Sequence, residues 1–311
     1  MPQQERGGFV QGTGPVPDPG TSAEPRARDA RREGLWALVA VQLLFGMFPV
    51  TGKLAFASFA PEALAGWRIA VGSAVLLTAA FLRHGRRAVP RWRDLLAIQG
   101  LSILGVLCNQ VLFVLGLARS RATDAGVVMA LIPVFTFVAA IALRQERFRA
   151  GRGLGVAVAL AGFVLLLDTG TGGRGLGNLL MAANALSYSL YLVLSKPMTR
   201  RYPPLVLMAW VYALSLWAVP LFAAGVDPWP DPGPAALWSF VYVLLGPTVL
   251  AYFLNLYALA RLPASTTAAF VYLQPFIAGL GGLLVLGERP EAGFLRAAGL
   301  VLVGLGLVLR R

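Results

Sequence analysis

Residues 118–147 read ARSRATDAGVVMALIPVFTFVAAIALRQER, and residues 260–289 read ARLPASTTAAFVYLQPFIAGLGGLLVLGER. At a shift of 142 positions Ala118-Arg119 meets Ala260-Arg261, Ala122 meets Ala264, and Leu131-x-Pro133 meets Leu273-x-Pro275. Glu146-Arg147 meets Glu288-Arg289, and further on Gly162 meets Gly304. Pairs of Leu or Ala coincide easily in an apolar chain; proline and Glu-Arg pairs in one register do not. The chain therefore contains two copies of one unit.

The composition says where those units reside. Hydrophobic residues make up 57% of 311 and charged residues only 13%, against ~25% charged in a soluble domain. The formal charge of +13 would point to nucleic acid if the arginines formed a patch. They lie instead in short connectors between apolar runs, as in a protein facing an anionic leaflet. Apolar segments cover about 35–57, 63–82, 95–118, 125–143, 153–168, 176–195, 204–224, 235–258, 264–286 and 293–309. A span takes ~20 residues. The expected fold is all-α integral membrane with ten transmembrane helices, divided by breakers such as Thr169-Gly-Thr-Gly-Gly173 and Asp227–Pro234. Five helices per copy is an odd number, so the second copy enters the membrane inverted, an arrangement of secondary transporters with a midplane site between repeats.

Residues 1–34, rich in Pro, Gly, Glu and Arg and without an apolar core, are expected to be a disordered cytoplasmic tail. The first repeat covers 35–168 and the second 176–309. With the amino terminus inside, twenty basic residues fall in cytoplasmic segments and five outside; Lys53 and Arg68 remain within spans. That asymmetry predicts both termini in the cytoplasm of an inner (plasma) membrane.

Enzyme chemistry finds little to work with. One cysteine (Cys108) and one histidine (His84) build neither a disulfide nor a metal cluster. Gly170-Thr-Gly172-Gly-Arg-Gly175 follows an apolar helix rather than a strand, so it reads as a loop and not a dinucleotide site. No cofactor, metal, catalytic residue or nucleic-acid partner is expected; a small-molecule substrate and the lipid bilayer are.

The five-plus-five pattern resembles the EamA-type members of the drug/metabolite transporter superfamily. The resemblance rests on Phe45-Gly46 with Lys53 in helix 1, Arg68 in helix 2, Leu131-Ile-Pro133 in helix 4, Leu273-Gln-Pro275 in helix 9 and Gly287-Glu288 after it. The first half departs at Gln145-Glu146, where Gly-Glu is common. The resemblance spans about 35–309 and implies transport of small metabolites, often amino acids or drug-like compounds, usually as export.

Candidate site residues follow from helical faces. Gln42, Gly46, Pro49 and Lys53 share one face of helix 1, and the positions 142 further on, Asn184, Tyr188, Tyr191 and Ser195, share one face of helix 6. Polar stripes in lipid turn toward protein or a water-filled cavity, although amides also bond between packed helices. Asn109 and Gln110 in helix 3, Thr248, Tyr252 and Asn255 in helix 8, and Gln274 with Tyr272 in helix 9 extend the set. Amides and phenols donate and accept without bearing charge, which suits a polar or zwitterionic ligand. Pro49, Pro133 and Pro275 are the expected kinks or hinges, since each removes a helix hydrogen bond.

Lys53 and Arg68 are the charges placed well inside spans, each either functional or snorkelling to the nearer surface. Glu146 and Glu288 are expected to form ion pairs or helix caps. Asp and Glu are confined to the tail, loops and helix ends, which argues against obligatory proton coupling through a deep carboxylate. The expected function is a transmembrane exporter of small polar, amino-acid-like metabolites working by alternating access. Its alternatives are a flippase for lipids or lipid precursors, whose cavity opens sideways, and a membrane scaffold or receptor, which lacks a central polar cavity.

Overall fold

The computed structural model describes residues 23–145, 148, 150–168, 174–259, 261–262, 270–271, 273–289 and 291–309. The expectations for residues 1–22, Glu146, Arg147, Arg149, the loop 169–173, Tyr272, Arg310 and Arg311 lie outside them. Among the described residues there is no strand. Eight helices are long and apolar enough to cross a membrane: α1 (Asp29–Ala55), α2 (Pro61–Ala88), α3 (Trp92–Ala118), α4 (Ala122–Ala142), α5 (Ala150–Asp168), α6 (Arg174–Thr199), α7 (Pro204–Ala223) and α8 (Pro234–Asn255). Two shorter apolar helices follow, α9 (Leu273–Val285) and α10 (Ala292–Val308). Each expected apolar segment thus carries a helix. The first helix already begins at Ala23, so the end of the expected tail is helical.

Local chemistry sets the boundaries. Proline occupies the first turn of α2, α7 and α8, where its missing N–H is no loss and its fixed φ suits the helix. The regular turns from Pro61 stop at Gly85, whose φ of 52° would strain any residue with a Cβ. Its N–H donates back to the Phe81 carbonyl. The stop of α4 is made by Arg144 at φ 56°, and Gln145 N–H closes the end on the Ala140 carbonyl at 2.7 Å.

Several helices are discontinuous. Within α4 the chain tightens at Ala130 and Leu131, whose N–H groups bond Val127 and Val128, and Pro133 opens the second half. Both α3 and α8 contain a widened π-type turn, at Ile103–Cys108 and Gly246–Leu250. Such turns insert an extra residue and accompany functional sites. They occur at corresponding places in the two halves of the chain.

Packing is reciprocal between the halves. α3 lies on α6 as α8 lies on α1; α4 meets α6 as α9 meets α1; α2 packs on α7 and α5 on α10. Small residues permit the closest of these contacts, as in membrane bundles generally. A Cβ at Gly162 would stand 2.7 Å from Val301 N and 2.8 Å from the Ala297 carbonyl, and one at Gly304 would meet the backbone of Gly155 and Ala159. The two glycines matched by the sequence shift therefore seat α5 and α10 against each other. At the ends of α3 and α7, Asp94 accepts from Tyr202 Oη at 2.6 Å and from Arg201 at 3.0 Å. Burial and that bond push the Tyr202 phenol above its ordinary pKa.

Candidate functional site

A cavity of about 660 Å³ lies in the bundle, lined from both halves of the chain. That volume is within the usual range for small-molecule sites. From the first half, α1 contributes Gln42, Phe45, Phe48 and Pro49, α2 contributes Arg68, α3 Asn109 and Phe113, and α4 Met129, Ile132 and Pro133. From the second half come Asn184 and Tyr188 of α6, Tyr252 and Asn255 of α8, and Gln274 of α9. Arg152 and Val308 also belong to the lining.

Of the residues expected from sequence, Gln42, Arg68, Asn109, Asn184, Tyr188, Tyr252, Asn255 and Gln274 meet at this cavity, with Pro49 and Pro133. The two amides of the helix 1 and helix 6 stripes are also bonded between helices. Gln274 Nε2 donates to Gln42 Oε1 at 2.8 Å, and Asn184 Nδ2 donates to the Asn109 carbonyl. These two amides thus both line the cavity and bond between helices. Among the described residues Gln42 Nε2 and Asn184 Oδ1 have no second partner, which leaves them to the cavity.

Lys53, Gln110, Tyr191 and Pro275 are not in the lining. Lys53 occupies the last turn of α1, within electrostatic range of Glu288 and Asp124. Gln110 turns to α7, where its Nε2 donates to Tyr212 Oη at 3.3 Å. Tyr191 stacks on Tyr188 with centroids 5.7 Å apart and donates to the Met208 sulfur. Pro275 packs behind the wall, against Gly126.

Arg68 does not snorkel. Its side chain turns inward and the residue is 6% exposed. Nε donates to Thr248 Oγ1 at 3.0 Å, and the guanidinium lies over the Phe48 ring, 4.2 Å from its centroid. Beside it Tyr212 Oη donates to Tyr252 Oη at 3.2 Å, which carries the chain from Gln110 to the cavity wall.

A second polar layer closes the ends of α4, α6 and α9. Glu288 Oε1 and Oε2 accept the N–H groups of Ala122 and Thr123 at 2.8 and 2.9 Å. The carboxylate thereby caps the start of α4, at the positive end of that helix. Asp124, in the first turn of α4, is buried; its Oδ2 accepts from Asn178 Nδ2 at 3.3 Å and from Ser120 Oγ at 3.1 Å. Glu291 pairs with Arg121 at 3.1 Å and with Arg174 at 3.5 Å. The sequence marks Asp124 as a helix-end carboxylate. Its burial and the Tyr212 relay come from neighbours distant in the chain, so no local pattern carries them. The same holds for Arg152, which counts as a loop arginine by position yet lies 5.3 Å from the Phe137 ring centroid.

A multi-pass membrane protein, helical among its described residues, with a partly polar cavity shared by its two halves has the architecture of a carrier. The chain belongs to the EamA-like transporter family, which matches residues 32–168 and again 175–310; members of that family are transporters, not enzymes. A probable terminal-alkyne amino-acid exporter of Streptantibioticus cattleyicolor is 29% identical, over 90% of this chain and 94% of its own. An uncharacterized transporter of Archaeoglobus fulgidus is 25% identical over 89% and 99%, and the uncharacterized transporter YdfC of Bacillus subtilis 27% over 84% and 86%. One solved crystal structure, 22% identical, shares the fold with a TM-score of 0.60 over 91% of this chain and 96% of its own.

Proposed function

We propose that this protein is a secondary exporter of small polar, amino-acid-like metabolites, built as two inverted five-helix repeats of ten membrane crossings about the cavity. The observation that carries the reading is the placement of Gln42 and Asn184, 142 residues apart, as matched amides in the lining of one cavity. The reciprocal packing of α3 on α6 and α8 on α1 supports the repeat, since inverted halves related by a two-fold axis contact each other in such pairs. The amino-acid exporter among its relatives supports the cargo class.

In this reading both termini are cytoplasmic and the membrane is the inner one. The cavity reaches Arg152 and Val308, at helix ends that the basic-residue count assigns to the cytoplasm. Glu288, Asp124 and the Glu291 pairs close the opposite side. A carrier loaded from the cytoplasm and shut outside is the starting state of export. A central cavity also counts against a scaffold.

The test is uptake and efflux of a labelled amino-acid panel by the purified protein in proteoliposomes. Downhill movement of at least one member above protein-free vesicles is expected, and it should persist when an ionophore collapses the pH gradient, because among the described residues no carboxylate lines the cavity. Failure to move any member contradicts the reading; movement that stops with the gradient contradicts uncoupled transport.

A further inference from the structure

We propose that Arg68 anchors a carboxylate on the cargo, and that the cavity selects small carboxylates with an apolar side chain whether or not they carry an ammonium group. This rests on the reading of the cavity as the transport site and narrows it to one chemistry.

A guanidinium out of water is costly unless anions or acceptors meet it, and ionisable groups within a bilayer mark functional sites. Arg68 is 6% exposed. Only its Nε is spent, on Thr248 Oγ1. Among the described residues no acceptor meets the two terminal nitrogens, and no carboxylate forms an ion pair with them. Those nitrogens are not among the buried polar atoms sealed away without a partner, and the residue lines the cavity, so they open onto it. The titratable groups in electrostatic range are the phenols Tyr212 and Tyr252.

The setting prepares this group for a planar anion. Phe48 holds one face of the guanidinium and Thr248 fixes its Nε edge, which leaves the terminal edge presented to the cavity. Two parallel N–H donors on one edge match the two oxygens of a carboxylate, a pairing that a lysine ammonium does not reproduce.

The rest of the wall completes the specification. Phe45, Phe113, Met129 and Ile132 offer apolar surface for a side chain. The charged lining residues among those described are both basic, Arg68 and Arg152. A cargo ammonium therefore finds amide oxygens and aromatic faces but no carboxylate, so it contributes little, and a cation without a carboxylate is excluded.

The test uses the full chain in proteoliposomes with labelled L-phenylalanine as the probe. Its competitors are 3-phenylpropanoate, which lacks the ammonium, L-phenylalaninamide, which lacks the carboxylate, and inorganic phosphate. Phenylpropanoate should compete within a few-fold of phenylalanine, and the amide and phosphate should each compete roughly tenfold more weakly or worse. Arg68→Gln should weaken phenylalanine affinity roughly ten- to hundredfold, with Arg68→Lys recovering part of the loss. Equal competition by the amide, stronger competition by phosphate, or wild-type affinity in a folded Arg68→Gln protein would overturn the assignment. The competition series needs no variant, so it decides the matter even if Arg68→Gln fails to fold. Transport of phenylalaninamide or uncharged polar solutes, with phenylalanine and phenylpropanoate refused, overturns the carboxylate anchor alone. Refusal of every solute overturns the transport reading with it.

Discussion

Replacing Asn184 by leucine is expected to reduce transport roughly five- to hundredfold while the protein inserts and melts like wild type, and Gln42→Leu should behave in the same way. Leucine is at home in a bundle, and a midplane amide interaction between helices is worth only ~0.6 kcal/mol on average. Losing the Asn184 bond to Asn109, or the Gln42 bond to Gln274, therefore costs the fold little. A bound solute loses more. A carboxylate or carbonyl oxygen that it presented to a remaining N–H of the amide is left unpaired in the cavity at ~1–3 kcal/mol, which converts to that span of affinity. Initial rates in proteoliposomes and thermal melting in detergent check the two halves of the expectation. Normal transport by both variants, or collapse of both folds, would reduce the paired amides to packing.

The largest effect on stability is expected from Gly304→Val. A side chain there must push into the backbone of Gly155 and Ala159, and a backbone cannot step aside as a flexible side chain can. Helices α5 and α10 must separate, at about 1–3 kcal/mol or more, with loss of contact along the whole crossing. Gly299→Val on the same helix is the control, because a Cβ there meets nothing within 4 Å. The melting temperature should fall sharply for the first and stay unchanged for the second. Equal melting would remove the close crossing from the account.

The Gly162–Gly304 pair shows what the sequence conveys well. Apolar length is local and legible, and each apolar segment carries a helix; the two glycines matched at 142 residues fall in one crossing. The faces of α1 and α6 are legible for the same reason, and Gln42, Asn184 and Tyr188 all reach the cavity. Rotation about the helix axis is harder. Asn109 and Gln110 are adjacent and so about 100° apart around the axis; one faces the cavity and the other faces Tyr212. The widened turn at Ile103–Cys108 adds a residue just before them and resets the face. On α6 the cavity line runs through Asn184, Tyr188 and Leu192. Tyr191, three residues from Tyr188 rather than four, rotates toward Met208. Depth is hidden as well. Arg68 reads as a residue able to snorkel, and only the placement of Phe48 and Thr248 across the bundle turns it inward.

Sidedness of access to the cavity separates an alternating-access carrier from a static bundle. In a Cys108→Ser background, a cysteine placed at the cavity residue Asn255 would be reacted with an impermeant maleimide from either face of oriented vesicles, with and without a transported solute. A cysteine at Val89, which is exposed, marks the face that the basic-residue count assigns to the cytoplasm. An alternating-access carrier predicts that Val89→Cys labels from the cytoplasmic face alone, whereas Asn255→Cys labels from both faces at rates that the solute shifts in opposite directions. Labelling of Asn255→Cys from one face under every condition, indifferent to solute, would contradict the account.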